Sequence, residues 1–195
     1  MSVSSDASLT REGNDLAAVP TLDGGDIAPS TAQGPDDTKP AATGPAESAE
    51  VFDARNSRFS LDGQTVALKD GLSQVPAAPG SASLVTTRYL GKTARGDLTG
   101  DGRKDLAFLV TRDGGGSGQF YYVVAAINGA NGYRTTNAFL IGDRIDPQSL
   151  RIGSNELQVN FMGRERDEPM TATPSRASVL LLKVTPNGVL EGLMK

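Results

Sequence analysis

The sequence predicts an all-β chain: a single antiparallel domain, a meander, sandwich or open-barrel-like sheet, preceded by a disordered N-terminal tail. Three observations carry this. The apolar runs are short, as strands are, and rich in Val, Thr, Tyr and Phe. Between them stand Asp62-Gly63, Asp70-Gly71, Asn131-Gly132 and Asn187-Gly188, dipeptides that accept the positive φ of primed hairpin turns. No segment keeps a 3.6-residue apolar period over three turns.

Residues 1–55 are assigned to the tail, an acidic linker rich in Pro, Ala, Ser and Thr. The first 50 residues hold Arg11 and Lys39 against nine acidic residues, a net charge of −7, five prolines, and no aromatic before Phe52. So little apolar area cannot offset an ordering cost of roughly 1–2 kcal/mol per residue. Asp15 to Val19 is long enough for a helical turn and too short for a helix that persists alone.

Residues 56–195 form the expected β domain. Arg58 to Leu61 and Gln64 to Leu68 flank Asp62-Gly63 as a hairpin, and Ser83 to Thr93 reads as one long strand. Leu106 to Thr111 is almost continuously apolar, the mark of a central strand buried on both faces. With Gln119 to Ile127, across the glycine-rich turn at 113–118, it makes the core hairpin. The meander continues through Tyr133 to Ile141, the Gly142-Asp143-Arg144-Ile145 corner, Ser149 to Ile152, Glu156 to Met162, Ser178 to Val184 and the Val189-Leu190 return. Strict alternation in Glu156 to Phe161 gives that strand one wet face. Roughly 140 residues suffice for a core without staples.

Composition removes much chemistry. With neither Cys nor His, thiol nucleophiles, disulfides, thiolate or imidazole zinc sites and histidine-dependent triads are excluded. A net charge of −4 argues against a nucleic-acid or anionic-membrane partner, since both demand a cationic footprint. No stretch approaches the ~20 apolar residues of a spanning helix. The N-terminus shows neither the basic nor the apolar region of a secretory signal, so it reads as cytoplasmic or as a mature chain whose leader has been removed.

One stretch carries specific chemistry. Asp97-Leu98-Thr99-Gly100-Asp101-Gly102-Arg103-Lys104-Asp105 sets side-chain oxygens at relative positions 1, 3, 5 and 9, with glycine at 6. That is the spacing of a calcium loop: a hard cation takes six to eight oxygens, and alternate side chains converge on it when the backbone turns sharply at the glycine. The expected Ca²⁺ ligands are Asp97, Thr99, Asp101, the Arg103 carbonyl and Asp105. Phe108 stands where an EF-hand carries its bidentate Glu, so this is no EF-hand. The loop resembles the D-x-[DN]-x-D-G-x-x-D loops of dockerin-like and FG-GAP-type proteins, with Thr99 as a neutral, weaker third ligand. A bland alternative is open too, an Asp- and Gly-rich turn neutralised by Arg103 and Lys104. A weak site is useful where calcium is plentiful, which favours the envelope.

Other signals carry less. Gly91-Lys92-Thr93 imitates a phosphate loop but lacks its first glycine and a following helix. Tyr121 and Tyr122 point to opposite sheet faces, one of them into the core. Residues 163–176 form a long charged loop in which Glu165, Asp167 and Glu168 offer carboxylates; acid-base hydrolysis would need two of them facing each other across a cleft.

Taken together, Arg88-Tyr89-Leu90-Gly91, the Gly96 to Gly102 run, Asp105 to Leu109, Gly115 to Ala126, Gly132-Tyr133, Gly142 to Ile145 and Glu168 to Thr171 resemble a family of small bacterial envelope-associated proteins, often lipoproteins, with no assigned biochemical role. The resemblance implies a periplasmic, envelope or secreted setting and no catalytic residues. The expected function is therefore a non-enzymatic, calcium-stabilised binding or structural domain with an envelope protein or polysaccharide as partner. The alternatives are a carboxylate-dependent hydrolase of cell-wall or carbohydrate material and an inhibitor or partner-binding protein.

Overall fold

A computed structural model describes residues 51–193. The first 50 residues of the expected linker lie outside this range, and the packed chain starts ahead of residue 56. The Phe52 ring sits 5.3 Å from that of Tyr133 and 6.1 Å from that of Phe108, and Ala54 is buried.

The strands are β1 (Arg58–Leu61), β2 (Gln64–Ala67), β3 (Leu72–Pro76), β4 (Leu84–Gly96), β5 (Asp105–Asp113), β6 (Gln119–Gly129), β7 (Gly132–Thr135), β8 (Phe139–Asp143), β9 (Asp146–Gly153), β10 (Glu156–Gly163), β11 (Arg176–Val184) and β12 (Leu190–Gly192). Among the described residues there is no α-helix, and no helix long and apolar enough to cross a membrane. β1 and β2 pair with each other. A six-stranded sheet runs β3-β4-β5-β6-β7, with β8 also on β6, and a four-stranded sheet runs β12-β11-β10-β9. Among the described residues every pairing between these strands is antiparallel and no barrel closes.

β5 and β6 lie at the centre because their sequences are apolar on both faces. Leu106, Phe108 and Val110 join Tyr122, Val124 and Ala126 under the β1–β2 hairpin, packed on Phe59, Leu61 and Leu68. Ala107 and Leu109 with Val123, Ala125 and Ile127 face the other way, onto Leu157, Val159, Leu182 and Leu190 of the four-stranded sheet. Side-chain alternation along two adjacent strands thus builds two cores and three layers. Gly96 brings β4 hard against β9: a Cβ there would stand 2.8 Å from Cβ and Cγ2 of Ile152.

Asp62 and Gly63 both take positive φ, 50° and 77°, the primed turn expected of Asp-Gly. Asp62 then holds the hairpin tip to the sheet, accepting from Arg112 at 2.8 Å and from the Tyr122 hydroxyl at 3.2 Å. Gly91 to Thr93 fall at a bulge where the β4–β5 register shifts, so the phosphate-loop mimic is a kinked strand.

Two features depart from the expected strand list. β3 has no counterpart in the sequence pattern: Leu72–Pro76 is an edge strand of exposed and half-buried residues, without the apolar face that signals a strand. The segment Tyr133 to Ile141 is two strands, both on β6, with register Ala126↔Thr135 in one and Val123↔Phe139 in the other. The break has a polar cause. Thr136 turns its hydroxyl to the Ala125 amide at 3.1 Å, and the Asn137 carboxamide engages both the amide and the carbonyl of Leu190 on β12, at 2.8 and 3.3 Å. Side-chain bonds to backbone interrupt the ladder there, while the Thr136 amide still donates to the Ala125 carbonyl at 2.8 Å.

Candidate functional site

The loop between β4 and β5 turns where its glycines allow. Gly100 and Gly102 have φ of 83° and 82°, which L side chains rarely adopt. Asp97 organises the turn. Its Oδ1 accepts from the amides of Thr99 and Gly100 at 3.2 and 2.6 Å, and its Oδ2 from that of Gly102 at 2.8 Å. The Gly102 amide above all, with those of Gly100 and Thr99, holds the Asp97 carboxyl below its ordinary value.

Asp105, the first residue of β5, is wholly buried at 0% exposure. Its Oδ2 accepts from the Leu98 amide and its Oδ1 from the Asn128 amide, both at 2.8 Å. One carboxylate thereby ties the start of the loop to the end of β6. Burial pushes its carboxyl up, and the negative charges of Asp101 and Asp97 add to the rise against the pull of the Asn128 and Leu98 amides. The Leu98 side chain, also buried, sits in the core beneath the loop.

The other expected ligands lie at the surface. Asp101 accepts from the Arg103 amide at 2.9 Å and lies 3.8 Å from the Arg103 guanidinium, both side chains being exposed. Thr99 and Arg103 are exposed. Among the described residues no three Asp or Glu side chains converge on a point where a metal ion could sit. As placed, Asp97 and Asp105 each commit both oxygens to backbone amides, bonds that a bound cation would have to share or replace. The loop closes on itself. Sequence reasoning also missed what covers it: the Asn155 carboxamide, from the β9–β10 turn, lies where a Cβ on Gly100 would meet its Nδ2 at 2.6 Å.

A cleft of about 370 Å³ opens beside this loop, lined by Thr99, Ile127, Arg134, Val184, Thr185, Pro186 and Gly188. Ile127 and Arg134 are opposed in the β6–β7 register, so both reach the same side of the sheet. The Arg134 guanidinium lies over Gly188, 3.6 Å from where a Cβ would stand. No lining residue is acidic. Only the pairing register puts Arg134 there; its neighbours in the chain gave no signal.

The charged loop at 163–176 is latched rather than open. Arg164 donates Nε to the Ala172 carbonyl at 2.6 Å and Nη1 to the Arg144 carbonyl at 2.7 Å, while Arg144 reaches the Met170 carbonyl at 3.3 Å. Glu168 accepts from the Glu165 amide at 2.9 Å, and Glu165 pairs with Arg176 at 3.3 Å. Two of its three carboxylates are therefore engaged in folding the loop.

No family model, curated protein or solved structure matches this chain.

Proposed function

We propose that the protein is a non-enzymatic binding or structural domain, displayed in the bacterial envelope or secreted, its acidic N-terminal segment serving as a spacer. One observation carries the reading: the cleft beside the β4–β5 loop is lined by an arginine, two threonines and apolar groups, without a carboxylate. Carboxylate-dependent hydrolysis needs two carboxylates facing each other across a cleft, and Glu165 and Glu168 bond within their own loop. The test is incubation with purified peptidoglycan and with soluble polysaccharides, followed by chromatography of released fragments. Unchanged substrates are expected; release of fragments that disappears in Glu168→Gln would overturn the reading in favour of a hydrolase. Fractionation of the native host, probed with antibody, tests the setting: the envelope or medium is expected, and a purely cytosolic protein refutes it.

A second reading keeps calcium as a stabilising ion at Asp97, Thr99, Asp101, Arg103 and Asp105. What favours it is charge: Asp97 and Asp101 both act on Asp105, while the one ion pair within the loop, Asp101 with Arg103, is exposed and so weak. Occupancy would require the loop to exchange some of its amide bonds for the ion. A melting midpoint that rises with calcium, and does so no longer in Asp101→Ala, would establish it.

A further inference from the structure

We infer that the cleft between the β4–β5 loop, β7 and the β11–β12 turn binds a monocarboxylate with a small apolar body, of which a peptide C-terminus is the simplest example. The inference rests on the binding reading above and gives it a ligand class. The cleft volume of about 370 Å³ falls in the range of small-molecule sites, which pair apolar walls with a few placed polar groups. Arg134 supplies a planar fork of N–H donors that matches a carboxylate in bidentate fashion. Among the described residues no carboxylate pairs with it. The Thr185 hydroxyl already accepts from the Val189 amide at 3.2 Å, so its proton is available to donate, and Thr99, a second hydroxyl-bearing residue, also lines the cleft. Ile127, Val184 and Pro186 supply the apolar lining.

Charge narrows the ligand further. Asp97 and Asp101 stand two residues on either side of the lining residue Thr99 in sequence, and their charges repel a doubly charged phosphate more than a singly charged carboxylate. A monoanion fits best.

The experiment is a titration of the ¹⁵N-labelled full chain with acetyl-Ala-Ala, with its C-terminal amide and with inorganic phosphate, followed by amide chemical shifts. Saturable shifts at Thr99, Ile127 and Gly188 are expected with the acid. Affinity should fall about tenfold or more for the amide and in Arg134→Gln, the loss of a charge-assisted pair. Absence of saturable shifts at these amides, equal binding of acid and amide, tighter binding of phosphate, or full affinity in Arg134→Gln would each overturn the assignment. The same spectra separate the two proposals. Free alanine appearing during the titration refutes the non-enzymatic reading, whereas an intact probe that fails to bind refutes the ligand assignment alone.

Discussion

Removing the Asp105 side chain is the perturbation whose cost the structure defines best. The carboxylate is inaccessible and accepts from the Leu98 and Asn128 amides, each at 2.8 Å, and both amides lie where the β4–β5 loop meets the central hairpin. Asp105→Ala leaves two donors without a partner. An orphaned buried amide costs about 1–3 kcal/mol, so the pair costs about 2–6 kcal/mol. For a domain of this size each kcal/mol moves the melting midpoint by roughly 2–4 °C, and the expected fall is on the order of 10 °C. Urea denaturation at pH 7 is the assay, with the slope unchanged and the midpoint lowered. Asp105→Asn keeps one acceptor and sheds a buried charge, so it should lose less. Asp101→Ala removes only an exposed local contact and should cost less than about 1 kcal/mol. If Asp105→Ala lost no more than Asp101→Ala, the anchoring role would be refuted.

Other perturbations follow the same reasoning. Gly96→Ala should destabilise by about 1–3 kcal/mol through overpacking, because its Cβ would meet Ile152 at 2.8 Å; an unchanged urea midpoint would show that β4 and β9 do not meet closely. Gly100→Ala and Gly102→Ala share a positive φ, but only the first would strike Asn155, so it should be the more costly in the same assay. Arg164→Met frees the 163–176 loop from two carbonyls, and limited proteolysis should then cut within it faster than in the parent; equal rates would argue that the latch is idle. Titration separates the two organising carboxylates. Asp105 is raised above 3.8 by burial, so the stability tied to it is full below that pH and declines as pH rises through the folded value. Asp97 is lowered below 3.8 by its amide donors, so its contribution is full above that pH and is lost as pH falls through the folded value. Stability curves of Asp105→Asn and Asp97→Asn against the parent should therefore diverge in opposite senses, and a common sense would contradict both assignments.

The central fold was legible because its signals are local. Leu106 to Val110 and Tyr122 to Ile127 are apolar on successive residues, as central strands buried on both faces are, and the Asp62-Gly63 turn follows from the φ that glycine permits. β3 carries no such pattern, and the break at Thr136–Asn137 depends on a β12 partner more than fifty residues away in sequence. At the candidate site, the spacing of Asp97, Asp101 and Asp105 could be read directly. Where their oxygens point could not, because Asp105 is claimed by an amide 23 residues on and that claim exists only once β5 and β6 pair. Spacing identifies residues able to converge on an ion; neighbouring backbone decides whether they do. Arg134 was invisible for the same reason, its position over Gly188 arising from the β6–β7 register and the β11–β12 turn.

Thermal melting of the full chain in a calcium series, against the same protein in chelator, bears most directly on whether the loop is closed by its own backbone. If Asp97 and Asp105 are satisfied by amides as described, the midpoint stays the same across the series. A midpoint that climbs with calcium and levels off, and that ceases to climb in Asp101→Ala, would contradict a self-closed loop and make the ion its organising element.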